Sequence, residues 1–242
     1  MRLDAYLRQS GAASRREVRS LVAAGRITVD GITAQDYAAD CLPGQTICLD
    51  GTPVLRREAA YFMLHKPAGY ITATQSSTQP TVLDLLPEPG GLFPVGRLDK
   101  DSEGLLLLTT DGMFCRQVIR PEKGVWKTYY IKVRGPFAPD TVQRFEAGMI
   151  LPNGTRLRPA QIEISGDTAM VRIQEGITHQ VRRMAAAVGA PVLYLKRLAI
   201  GALELDDSLL PGQFRPLTAD ERMAVFQSPA ALADGWRSIH RE

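Results

Sequence analysis

The sequence predicts an α+β chain in two parts: a small α/β module over residues 1–50 and a larger strand-rich domain over residues 59–230. A linker at 51–58 joins them, and a tail follows at 231–242. Three observations carry this division. The first fifty residues hold two short stretches of helical periodicity followed by an alternating strand. Asp50-Gly51-Thr52-Pro53 and Arg56-Arg57-Glu58 then interrupt the apolar pattern. From Ala59 onward, alternating or continuous apolar runs are punctuated by Gly, Pro and Asp. At 242 residues with 45 % hydrophobic content, the chain has enough apolar side chains for a packed core.

In the module, Leu3, Tyr6 and Leu7 sit at helical spacing and Gly11 stops the helix. Ser14-Arg15-Arg16-Glu17 reads as a capping box, in which the Ser and Glu side chains satisfy amide donors at a helix start. Val18, Leu21 and Val22 give this second helix one apolar stripe, and Gly25 ends it. Arg26-Ile27-Thr28-Val29 alternates as a strand and turns at Asp30-Gly31. The stripe leaves Arg15, Arg16 and Arg19 on the exposed side. With Arg2, Arg8 and Arg26 they form either a solvated face or a basic surface suited to phosphate contacts, and charge alone does not decide between the two.

In the larger domain, Tyr61-Phe62-Met63-Leu64 reads as a strand entering a turn at His65-Lys66-Pro67-Ala68-Gly69-Tyr70. Leu92-Phe93-Pro94-Val95 and Leu105-Leu106-Leu107-Leu108-Thr109 are strands, the second fully buried. The segment between them, Gly96-Arg97-Leu98-Asp99-Lys100-Asp101-Ser102-Glu103-Gly104, is a loop held between core elements. Carboxylates on such a loop serve as nucleophiles, bases, metal ligands or turn-formers, and the residue types leave these open. One metal reading is excluded. Asp99, Asp101, Glu103 and Gly104 match the first half of a calcium loop, but its twelfth position, which needs a bidentate Glu, is Thr110. Met113 to Ile119 reads as a short helix after Asp111-Gly112. Lys127 to Val133 alternates, with Tyr129, Ile131 and Val133 on one face, so by pattern Tyr129 is a core tyrosine. Thr178 is placed as the N-cap of a last helix whose stripe is Val181, Met184, Ala185 and Val188, closed by Gly189. An arginine in that helix's first turn opposes the macrodipole and implies a compensating contact. His179 invites a catalytic reading through its proton chemistry, but no acid stands at triad-like spacing from it, and a helix-start role is expected.

Composition sets outer limits. A net charge of +3 permits a polyanionic partner without requiring one. Three cysteines, odd in number and outside zinc spacing, fit a reducing compartment. No apolar run approaches the roughly 18–20 residues of a membrane span, and Met1 leads into Arg2 and Asp4 rather than a signal peptide, so a cytoplasmic protein is expected. Neither a P-loop nor a Rossmann fingerprint is present.

Gly96-Arg97-Leu98-Asp99 followed by Asp101-Ser102-Glu103-Gly104 and Leu105 through Gly112 resembles the signature of the ribosomal small-subunit-type pseudouridine synthases, the RsuA family. Lys66-Pro67-Ala68-Gly69, Lys127-Thr128-Tyr129, His179-Gln180-Val181-Arg182 and the closing Gly212 to Thr218 are similar to further segments of that family. Ile177 departs from it, where members more often carry an aromatic or basic residue. The order Arg2-Leu3-Asp4, Ser14 to Glu17 and Gly25 to Gly31 is similar to the RNA-binding module named after ribosomal protein S-four. The resemblance implies a mixed, mainly antiparallel sheet in the second domain and isomerisation of uridine to pseudouridine in ribosomal RNA. Small-subunit rRNA is expected, with a large-subunit enzyme or a non-catalytic RNA-binding protein on the same fold as alternatives. A carboxylate metal enzyme built on Asp99, Asp101 and Glu103 is a third reading, and it lacks a matching His or Cys cluster.

The resemblance further implies that Asp99 is the nucleophile, Arg182 pairs with it, and Tyr129 packs on the extruded base. The expected RNA contacts are Arg2, Arg15, Arg16, Arg19, Arg26, Lys66, Arg97 and Arg183. No cofactor or metal is expected, because the reaction oxidises nothing and releases no group. The expected partner is ribosomal RNA or a ribosomal assembly intermediate, bound by a monomer.

Overall fold

The computed structural model describes residues 1–55 and 58–230. The tail at 231–242, and Arg56 and Arg57 of the expected linker, lie outside the described residues. In the N-terminal module, α1 (Leu3–Gln9) and α2 (Arg15–Ala23) pack on a small antiparallel sheet. Its strands β1 (Ile27–Val29), β2 (Ile32–Thr33), β3 (Ile47–Leu49) and β4 (Thr52–Pro53) lie in the order β2-β1-β3-β4. Leu3, Leu7, Val18, Val22, Ile27 and Ile47 make the core, so the stripe read from the sequence is the packed face. The capping box forms as expected: Ser14 N donates to Glu17 Oε2 at 2.7 Å and Glu17 N to Ser14 Oγ at 3.4 Å.

Both hairpins of this sheet turn on Asp-Gly. Asp30 and Asp50 each have φ of 51°, and Gly31 and Gly51 have 80° and 76°, the two successive positive values that a two-residue I′ turn needs. The second hairpin corrects the boundary read from the sequence. Thr52–Pro53 is the module's last strand rather than linker, and Tyr6 Oη donates across the module to Val54 O at 2.9 Å.

The second domain runs β5 (Tyr61–Lys66), β6 (Phe93–Val95), β7 (Glu103–Thr109), α3 (Gly112–Ile119), β8 (Lys127–Val133), α4 (Thr141–Ala147), β9 (Gln161–Ser165) and β10 (Thr168–Ile173). It continues with α5 (Gln180–Ala187), β11 (Val192–Ile200), β12 (Leu203–Glu204), β13 (Phe214–Pro216) and α6 (Ala219–Ala224). The main sheet follows β13-β5-β7-β11-β8-β10-β9, with β12 beside β11 and β6 beside β7. Its strands pair antiparallel except β7 with β11, which makes the sheet mixed and mainly antiparallel. The leucine run explains why β7 reads as continuously apolar. Leu106 and Leu108 enter one core and Leu105 and Leu107 the other, and all four are fully buried. Burial of each contributes roughly 1.5–3 kcal/mol, so this strand fixes the end of the acidic loop that feeds it.

Candidate active site

The acidic loop is shorter than the sequence suggests, because Glu103 and Gly104 already belong to β7. Gly104 sits where β7 meets β11, at φ 107°, and a Cβ there would lie 2.2 Å from Arg197 O; only glycine permits this close approach. The rest of the loop is tied down through its backbone. Thr72 Oγ1 accepts from Leu98 N at 3.1 Å and donates to Leu98 O at 2.7 Å. Ser102 N donates to Asp99 O, and Gly69 N to Lys100 O. Asp99 is thereby presented on a rigid turn whose own side chain is not needed to hold it.

Lys66 completes this support, and its place corrects the sequence reading, which put it among the RNA contacts. It is fully buried, and Nζ donates to Pro67 O at 2.9 Å, Ser102 O at 2.8 Å and Lys100 O at 3.3 Å. Burial pushes its ammonium down to about 8, while Asp101, Asp99 and Glu103 pull the other way. A lysine so enclosed has no surface to offer a phosphate. Its four-carbon stem instead carries a donor beneath the loop. Lys66→Met should destabilise the fold by about 1–3 kcal/mol through the carbonyls it leaves unmatched, and lower turnover without changing RNA affinity. Weakened RNA binding with wild-type turnover would return Lys66 to the binding surface.

Across the loop stands the start of α5. Its apolar face (Val181, Met184, Ala185, Val188) is buried as expected, and Gly189 follows at φ 80°. The N-cap is not Thr178 but His179, in the left-handed region at φ 54° with no side-chain cap. The start is fixed instead by Gln180, whose Oε1 accepts from Ile177 N at 3.1 Å while Nε2 donates to buried Glu175 at 2.8 Å. This turn throws Arg182 toward the loop. Arg182 Nε lies 3.4 Å from Asp99 Oδ2 and Nη2 lies 3.1 Å from Asp101 Oδ2, and Nη2 also donates to Ser102 Oγ at 3.2 Å. The compensation demanded by an arginine in a first turn is therefore the acidic loop itself. The Nε contact is an ion pair without hydrogen-bond alignment.

His179 Nε2 lies 3.5 Å from Asp99 Oδ1, an approach between residues 80 positions apart that spacing in the sequence does not disclose. Glu103 turns away, accepting from Tyr194 Oη at 2.8 Å. The three carboxylates thus diverge, two toward Arg182 and one toward Tyr194, which opposes their use as one metal site.

A cavity of about 300 Å³ opens beside Asp99. Tyr129, Arg182, His179 and Arg97 line it, together with Val95, Val118 and Ile200 from one core and Leu98, Val181 and Leu195 from the other. Tyr129, directly across from Arg197 in the β8–β11 ladder, is 8 % exposed: a core tyrosine along its strand with one side on the cavity. Lys127, two residues earlier on the same face, and Arg197 also reach this cavity, and neither was singled out in the sequence. Burial, and then the Arg197 charge, hold the Lys127 ammonium down at about 8.

With Lys66 and Lys127 both near 8 in the fold against 10.5 in the unfolded chain, the unfolded chain binds more protons between those values. At these two sites stability therefore rises with pH across that window. Lys127→Met should be more stable than wild type at neutral pH, and the gap should close as pH climbs toward 10.5. Denaturant unfolding across that range measures it, and a constant gap would contradict a desolvated Lys127.

The remaining basic residues vary in their freedom. Arg2 pairs with Asp4 at 3.0 Å, and Arg26 holds both carboxylate oxygens of Asp50, its Nε donating to Oδ1 at 2.8 Å and its Nη2 to Oδ2. Arg19 lies over the Tyr37 ring at 4.7 Å and donates to its hydroxyl. Arg183 Nη2 donates to Asn153 at 2.7 Å. Arg16 and Arg97 are exposed, while the Arg15 side chain is outside the described residues.

Residues 60–187 match the family model described as RNA pseudouridylate synthase, and residues 1–47 match the S4 domain. The chain is 44 % identical over 240 residues to the uncharacterized RNA pseudouridine synthase YtzG of Bacillus subtilis strain 168, covering 96 % of this chain and 100 % of the relative. It is 40 % identical over 230 residues to ribosomal small subunit pseudouridine synthase A of Escherichia coli K12, covering 93 % and 100 %. A crystal structure of a pseudouridylate synthase aligns with a TM-score of 0.69 at 30 % identity, over 93 % of this chain and 99 % of that one.

Proposed function

The chain belongs to the RNA pseudouridylate synthase family, and from that premise we propose that it isomerises a uridine of small-subunit ribosomal RNA, with Asp99 as nucleophile. The observation that carries the assignment of roles is the pairing of Asp99 with Arg182 at 3.4 Å on the wall of a cavity that Tyr129 also lines. The choice of small-subunit rRNA rests on relatives that bear that name over their whole length. The protein acts as a monomer in the cytoplasm, on ribosomal RNA or a ribosomal assembly intermediate. Among its described residues no helix is long and apolar enough to cross a membrane.

The reaction starts with extrusion of the target base from its stack, at a cost of a few kcal/mol that contacts in the cavity offset. Tyr129 packs on the uracil. Arg182 holds the Asp99 carboxylate aimed while it attacks, and the bond from ribose to ring nitrogen is exchanged for one to ring carbon 5. Uridine and pseudouridine have the same atoms and oxidation state, so these steps call for no redox or group-carrying cofactor. Incubating the purified protein with small-subunit and with large-subunit rRNA, naked and as assembly particles, tests the assignment. Pseudouridine confined to small-subunit substrates is expected, and pseudouridine confined to large-subunit rRNA would overturn the choice.

The module that ends near Val54 supplies affinity and placement, and the domain from Ala59 to residue 230 supplies chemistry. Arg16 and Arg19 stand on the exposed side of α2, opposite its buried stripe. Phosphate contacts release counterions, so their share of binding weakens with salt. Replacing Arg15, Arg16 and Arg19 together by alanine should weaken rRNA binding and flatten the dependence of log affinity on log salt, with the single-turnover rate at saturating RNA kept. Wild-type affinity and slope in that variant would make α2 a merely solvated face.

A further inference from the structure

Two cationic groups on the cavity wall have no use in the roles given above. Lys127 is 7 % exposed and Arg197 is 3 % exposed, and both line the cavity that holds Asp99 and Tyr129. Arg197 is locked in place, its Nε donating to Leu105 O at 2.7 Å and Nη1 reaching Arg97 O at 3.5 Å. That leaves Nη2 buried with no partner among the described residues, and Lys127 Nζ is in the same condition. Burying an unpaired charge is costly, and two side by side cost more, because each also repels the other. Sequence and fold would remove this cost with two apolar residues unless something anionic, or becoming anionic, arrives there.

We propose that Lys127 and Arg197 form an oxyanion site for the carbonyl oxygens of the target uracil, receiving the negative charge that develops on the ring as its bond to ribose is exchanged. The proposal rests on the pseudouridine synthase reading and assigns it two further catalytic residues.

The electron count supports this by either route open to Asp99. If a carboxylate oxygen of Asp99 bonds to ribose C1′, the C1′–N1 bond breaks and its electron pair stays on the uracil, spread over O2 and O4. If the oxygen adds instead at ring carbon 6, the electron pair of the C5–C6 double bond moves to O4. In both cases charge appears on ring oxygens. It leaves them when C5 bonds to C1′ (in the second route the C1′–N1 bond breaks at this stage), the bond to Asp99 breaks, C5 loses its proton and N1 gains one, so the product has the atoms of the substrate. Donors held in place before the charge forms, inside a water-poor cavity, act most strongly on it.

Depth decides between base and phosphate. An extruded nucleotide enters base first, and its phosphates remain joined to neighbours along the strand. They stay near the mouth, where the His179 side chain is 60 % exposed, and do not reach groups more than nine-tenths buried.

The test uses the full-length protein and short target RNAs carrying uridine or 5-fluorouridine at the modified position. Fluorine withdraws electrons, so the fluorinated ring carries negative charge with less help. Lys127→Met should leave RNA affinity unchanged and slow single-turnover consumption of the target uridine about 100-fold, the usual cost of removing one oxyanion donor. The loss on 5-fluorouridine, whose C5 carries fluorine and has no proton to lose, is read at breakage of its C1′–N1 bond and should be several-fold smaller. Arg197→Lys, which keeps the charge but not the fork, should show the same substrate pattern if Lys127→Met does not fold. Equal losses on both RNAs would overturn the proposal. So would wild-type rates, or weakened RNA binding with the saturated rate kept, the latter assigning the pair to phosphate. If wild-type protein converts no uridine, the functional reading itself fails, which is a different result.

Discussion

Asp99→Asn protein is expected to fold, to bind small-subunit rRNA with wild-type affinity, and to form no pseudouridine above background. The reason lies in how the loop is built. Its shape is held by Thr72 on Leu98, by Gly69 N on Lys100 O and by Lys66 under Lys100 and Ser102, all through backbone atoms. The Asp99 side chain contributes to none of these, so exchanging one oxygen for an amide nitrogen leaves the scaffold intact. An amide presents no charged nucleophile, and its NH₂ facing the Arg182 guanidinium finds no acceptor. Loss of a nucleophile with binding retained costs at least ~10⁴-fold in rate. Single-turnover digestion and chromatography of the RNA measures it, and residual turnover above background in clean protein would remove Asp99 from that role.

Arg182→Ala should lose roughly 10²–10³-fold in single-turnover rate with little change in RNA affinity, on the scale of removing a preorganised charge partner. Its guanidinium spans Asp99, Asp101 and Ser102, so truncation frees two like charges to repel each other across the loop. Its neighbour behaves differently. Arg183 points away to Asn153, and Arg183→Ala should mainly weaken RNA binding. The opposite ranking of the two variants would exchange their assignments.

The parts of the site that the sequence disclosed are those encoded by local pattern. The apolar stripe of α5, the alternation of β8 and the leucine run of β7 each place one site residue, and the resemblance attached roles to them. What stayed hidden depends on contacts across the fold. Lys66 read as a surface cation because a Lys-Pro-x-Gly turn says nothing of the three carbonyls that converge beneath it. Arg197 lies on β11, and two long-range pairings place it: the parallel one with β7 sets it beside Gly104, and the antiparallel one with β8 sets it across from Tyr129. His179 has its acid 80 residues away. The module boundary was misplaced for a local reason: Asp50-Gly51 marks a turn, and a turn within a hairpin has the same composition as a turn between domains.

The most direct measurement is a map of pseudouridines in the ribosomal RNA of cells that lack this protein, repeated after restoring either the wild-type chain or Asp99→Asn. Expected is the loss of pseudouridine from small-subunit rRNA at the enzyme's site, its return with the wild-type chain, and no return with Asp99→Asn. A small-subunit map unchanged by removal of the protein, or restored by Asp99→Asn, would contradict the assignment of this cavity and its carboxylate to uridine isomerisation.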